Sequence, residues 1–170
     1  MSNLRDETFW DGPSQEPLLP KQGKRPRGKP TTKAERLETR GRARALQALY
    51  AADVREQAQW RRIATTVFDD LAVVPEERAF ASRLVATVAD NVATLDAALT
   101  EVTNNWRLER LGVIERCVLR LAAAELARNE TPVKVVLQEA VRLAERYGTE
   151  RSARFVNGVL DAYARKLGKL

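Results

Sequence analysis

The chain has 170 residues, 44% of them hydrophobic and 31% charged, with a net charge of +6. Charges interrupt every apolar run before the ~18 residues a membrane-spanning helix needs, and Met1–Trp10 carries Arg5, Asp6 and Glu7 where a secretory signal would be apolar. Histidine is absent and cysteine occurs once, at Cys117. This composition removes the Ser-His-Asp and Cys-His triads, most zinc sites and any intramolecular disulfide, and suits a cytoplasmic location.

The charge is unevenly spread. Residues 1–20 sum to −3, residues 21–44 to +8 and the remaining 126 to +1. So local a positive region points to a nucleic-acid-facing patch, with a solubilising basic tail as the plainer alternative. Five of the seven prolines fall within residues 13–30, a stretch too poor in aliphatic residues to offset its ordering entropy. Residues 1–31 are therefore expected to be a disordered, basic, proline-rich tail and residues 32–170 a folded domain. Gly23–Pro30 has the spacing of a phosphate-binding loop up to its lysine, but Pro30 replaces the magnesium-binding hydroxyl and no strand precedes it.

From Thr32 the pattern is helical. Thr32 and Glu35 have the capping-box spacing, and a first helix runs to about Gln57 with Leu46, Leu49, Tyr50 and Val54 as one apolar stripe. Gly41 inside it costs about 1 kcal/mol relative to alanine, which loosens the first turns. A second helix covers Gln59–Leu71 on Trp60, Ile63, Val67, Phe68 and Leu71. Pro75 suits the first position of a third, with Glu76 and Glu77 at the positive end of its dipole. Its stripe runs from Phe80 through Leu84, Val88, Leu95 and Leu99 to Val102, long for one straight helix, which leaves open either one helix or a break near Leu95. Leu108–Arg128 forms a fourth helix on Leu111, Ile114, Val118, Leu121 and Leu126. Thr131 and Pro132 start a fifth that ends at Gly148, and the last runs from about Thr149 to Gly168. No segment alternates as a strand. The expected fold is all-α, a bundle of six to seven helices.

No catalytic constellation emerges. Asp69/Asp70 and Glu76/Glu77 are helical neighbours pointing about 100° apart rather than converging, and Cys117 lies in an apolar helix without a partner. The basic stripe is more informative. Arg36, Arg40 and Arg44 recur every four residues on one face of the first helix, Arg42 widens the charged arc, and Lys33 precedes it. Helix-mounted arginines give bidentate phosphate contacts and stack on unpaired bases.

Several segments carry a resemblance. Arg40–Tyr50 reads R-G-R-A-R-A-L-Q-A-L-Y, Ile114–Arg120 reads I-E-R-C-V-L-R, and Phe155–Asp161 reads F-V-N-G-V-L-D; Pro132-Val133, Glu139-Ala140-Val141 and Tyr147-Gly148 fall between them. Over residues 34–167 this resembles the NusB family. The resemblance implies two three-helix sub-bundles packed across one another and no cofactor, metal or catalytic residue. It also implies a bacterial factor that binds single-stranded boxA RNA with NusE, a small-subunit ribosomal protein, in the RNA polymerase antitermination complex. By position, Arg40 and Arg42 match the family's basic arm, Arg154 a commonly basic position, and Tyr50 and Phe155 aromatic positions near the RNA. Tyr50 and Phe155 also lie on apolar faces, where core packing fits equally. Arg151 stands where an acidic residue is common, which adds attraction for phosphate. Glu115 lies on the helix that faces NusE, and a stripe with Val118 inward leaves Leu119 beside it on the docking face. The family's methyltransferase-fused form is not expected, because a Rossmann-like domain does not fit in the chain. The competing reading is a helical protein-binding adaptor whose basic tail contacts RNA nonspecifically.

Overall fold

A computed structural model describes residues 35–55, 59–104 and 106–170. They form α1 (Leu37–Val54), α2 (Trp60–Asp70), α3 (Pro75–Val102), a 3-10 turn (Leu108–Arg110), α4 (Val113–Arg128), α5 (Val133–Tyr147) and α6 (Glu150–Lys166), with no strand among the described residues. The 1–31 tail, Lys33 and the Thr32 cap lie outside these residues.

Local chemistry sets most boundaries. Pro75 opens α3 with Glu76 and Glu77 in its first turn. Asn129, at φ 56°, closes α4 in the left-handed conformation that asparagine tolerates. Thr149 and Ser152 cap α6 reciprocally. α3 runs 28 residues without a break, because Leu95 and Leu99 continue one buried face one turn apart. Two expectations change. Leu108–Arg128 divides into a 3-10 turn and α4, with Gly112 at the helix start. α5 begins one residue late, because the Thr131 hydroxyl donates to Glu125 (3.0 Å) instead of capping.

The helices build two three-helix bundles, α1–α3 and α4–α6. α4 packs against α1 and α3 of the first bundle, and α3 also meets α6. Ten consecutive residues of α4, Cys117–Leu126, are buried, so this helix is covered on every side. Burial, reinforced by the nearby Asp53 carboxylate, pushes the Cys117 thiol far above its ordinary value against the opposite pull of Arg120 and Arg116, so it is an inert core residue. Val54 and Leu71, expected in the core, are exposed at 48% and 41% because they end α1 and α2 beyond the packed turns. An ionic cluster ties the bundles at α4. Arg116 and Arg120 both pair with Asp53 of α1, Arg120 also holds Asp96 of α3 (2.7 Å), and its guanidinium lies over the Trp60 ring (5.6 Å).

Gly41 is a packing residue rather than a weak point. A Cβ there would lie 2.6 Å from Cδ1 and 3.3 Å from Cβ of Phe80, so both ends of that side chain block it. Overpacking typically costs 1–3 kcal/mol, against about 1 kcal/mol of helix propensity that alanine returns. Gly41→Ala is thus expected to leave the protein less stable by about 1 kcal/mol, read as a lower urea midpoint at unchanged slope. A raised midpoint would show that Phe80 moves aside freely.

Candidate nucleic-acid interface

The arginines of α1 separate by the helical register. Arg36 is exposed at the helix entry. Arg40 is half-buried; its Nε donates to Glu77 of α3 (2.5 Å), and its Nη1 donates to the carbonyl of Glu35. Arg44 lies 3.6 Å from the same Glu77 and bonds Gln47 (3.1 Å). Glu77 therefore neutralises part of the stripe, and its burial makes that pairing firmer than a surface contact.

Arg42 does not belong to the charged arc. It is 4% exposed. Its guanidinium donates through Nε (2.9 Å) and Nη2 (2.5 Å) to Glu125 of α4, lies 3.9 Å from Glu139 of α5, and sits over the Phe80 ring at 5.3 Å. Burial pulls its pKa down, but the bond to Glu125 and the charges of Glu125, Glu139 and Glu38 more than reverse this, so the net shift is upward and the group stays charged. The sequence signal was its register: Arg42 stands three, four and seven residues before the buried Ala45, Leu46 and Leu49. Leu119 is likewise corrected. It is 0% exposed, as is Val118, because α4 is central and has no outward face there.

Glu115 is half-buried and held within the protein. Ser152, a member of the α6 cap, donates its hydroxyl to the Glu115 carboxylate, joining the starts of α4 and α6. On α6, Arg151 and Arg154 are exposed, and Arg154 pairs with Glu150 one turn back (2.7 Å). Phe155 packs part of its ring against the core and leaves part outside, and Tyr50 is half-buried. Two cations escaped the sequence reading. Arg142 and Arg146 are exposed on α5, and Arg146 reaches Glu35 at the entry of α1 (3.6 Å). Their four-residue spacing opposite the buried Val136, Ala140, Leu143 and Ala144 marks an outward basic face, but its adjacency to Arg36 and Arg40 is visible only in the fold. The result is an arginine-rich surface drawn from both bundles. Glu35 links Arg40 at the α1 entry to Arg146, Arg36 is the next residue along, and Arg142, paired with Glu139 (3.5 Å), lies one turn behind.

Among the described residues no helix is long and apolar enough to cross a membrane, and no group of three or more metal-ligating side chains converges. These features define a two-bundle helical protein with an exposed basic surface suited to binding polyanions. The NusB family model matches residues 39–165, and the chain belongs to the NusB family. It is 45% identical over 131 residues to the transcription antitermination protein NusB of Sorangium cellulosum, covering 76% of this chain and 93% of that protein. It is 44% identical to that of Anaeromyxobacter dehalogenans strain 2CP-1, covering 74% and 89%. Among solved structures, NusB of T. maritima superposes with a TM-score of 0.71 at 32% identity, covering 76% of this chain and 91% of that one. A chain in the crystal structure of antitermination factors NusB and NusE in complex with dsRNA gives 0.70 at 26%, covering 76% and 97%.

Proposed function

We propose that the chain is an RNA-binding transcription antitermination factor of the bacterial cytoplasm, without catalytic activity. It takes boxA-type single-stranded RNA of nascent ribosomal transcripts together with NusE in the RNA polymerase antitermination complex. The observation that carries this reading is family membership over residues 39–165, with a solved relative held together with NusE and RNA. The geometry supports it through Arg36, Arg40 and Arg146 clustered at the α1 entry and Arg151 and Arg154 on α6. Arg40 and Arg44 contribute less than Arg36, because Glu77 shares their charge. The exposed part of Phe155 suits stacking on a base, and Tyr50 stands as a second aromatic. Residues 21–33, with Lys33 nearest the helix, act as a basic arm that adds phosphate contacts.

NusE docks beside the start of α4, where Glu115 lies. Since Glu115 also accepts from Ser152, Glu115→Lys would disturb the first turn of α6 as well as a partner contact. A better test is the affinity of the full chain for boxA RNA and for a scrambled RNA, each with and without NusE. RNA and NusE are expected to tighten each other's binding by one common factor, corresponding to about 1–3 kcal/mol. Equal affinity for both RNAs, unaffected by NusE, would favour the helical adaptor with a nonspecific basic tail.

A further inference from the structure

The F-V-N-G-V-L-D run contains a glycine that the fold does not use. Gly158 is exposed in the middle of α6, and a Cβ built on it would meet no atom within 4 Å. Its backbone is not in the left-handed region, since Gly168 is the only glycine at positive φ among the described residues. Glycine in a helix interior is disfavoured by its backbone entropy. At Gly41 the ring of Phe80 accounts for it; at Gly158 neither packing nor dihedral angle does.

Its position on the helix surface offers a reason. Gly158 lies four residues after Arg154, three after Phe155 and seven after Arg151, so the four share one strip. Arg151 and Arg154 are exposed, the Arg154 side chain at 78%, and Phe155 shows part of its ring.

We propose that Gly158 is a point of close approach for RNA running along α6. Arg151 and Arg154 take phosphates, the open part of Phe155 meets a base, and the ribose-phosphate backbone then lies directly against the helix backbone at Gly158, where a side chain would hold it away. Asn157, exposed beside it, presents an amide able to donate to or accept from a 2′-hydroxyl. The occupant is RNA rather than protein because the strip carries two arginines against one carboxylate, Glu150, at the positive end of α6. Asp161, the next acidic residue, is taken by Arg165 at 2.8 Å. The inference rests on the RNA-binding reading and deepens it.

The test uses the full chain with Gly158→Ala and Gly158→Leu and a single-stranded boxA-type oligonucleotide, first without partner protein and then with NusE added. Both variants place their side chains in open space, so the melting temperature is expected to rise by about 2–4 °C. RNA affinity is expected to fall about tenfold for alanine and further for leucine. The salt dependence should keep its slope, because no phosphate contact is removed, whereas Arg154→Ala should flatten it by about 0.7 units. Wild-type affinity in Gly158→Leu, alongside normal RNA binding by the parent, would overturn the proposal and leave the RNA-binding reading intact. A loss seen only when NusE is added would assign the position to a protein contact and overturn it as well. A parent chain that does not bind the RNA would overturn the underlying reading itself.

Discussion

Arg42→Ala is expected to destabilise the protein by about 3–5 kcal/mol, the usual consequence of removing one member of a buried ion pair. The loss arises because Glu125 would remain buried with its charge, opposed only by the hydroxyl of Thr131. The pair itself contributes far less, since burying both ions costs most of what their attraction returns. A Arg42→Leu/Glu125→Leu double variant should therefore recover more than half of the lost stability. Urea unfolding of the wild type, Arg42→Leu, Glu125→Leu and the double variant, the four proteins of the cycle, gives the coupling directly. Near-additive losses would mean that the guanidinium acts mainly through Phe80 and Glu139.

Reversal of Arg36 and Arg146 together, Arg36→Glu/Arg146→Glu, is expected to weaken RNA binding strongly with little change in stability, since both side chains are exposed. Each phosphate contact to a single strand contributes about 0.7 to the slope of log affinity against log salt, so losing two should flatten it by about 1.4 units. Conservative loss of the inner arginine, Arg42→Gln, should leave the slope of the folded protein unchanged. Titrations of boxA RNA at several salt concentrations separate these outcomes. An unaltered slope in the double reversal would move the phosphate contacts away from the α1 entry.

What the sequence disclosed and what it concealed follow the range of the interactions. Pro75, Asn129 and the Thr149/Ser152 pair act within a few residues, and the helices they bound could be read directly. No local partner separates Arg42 from its charged neighbours, because Glu125, which draws it inward, lies 83 residues away. The register of a helix with one buried face turns Leu119 outward, but α4 is buried on every side there. Gly41 looked like a flaw for the same reason: Phe80, which excludes a Cβ, belongs to another helix. The family's segments were legible as local strings, while the juxtaposition of Arg146 with the start of α1 required the packed bundles.

That juxtaposition bears on how tightly a flexible strand can be held. The arginines at the α1 entry belong to one bundle and those of α5 and α6 to the other, yet the buried bridge from Arg42 to Glu125 and the cluster around Arg120 lock the two together through α4. The cationic groups are therefore mounted at set separations before any ligand arrives. A receptor with two loosely tethered halves would lose part of its binding energy in bringing them into register. Here the freedom surrendered on association is mainly that of the nucleic acid and of the arginine side chains, so the chain acts as a rigid template on which single-stranded RNA takes its shape.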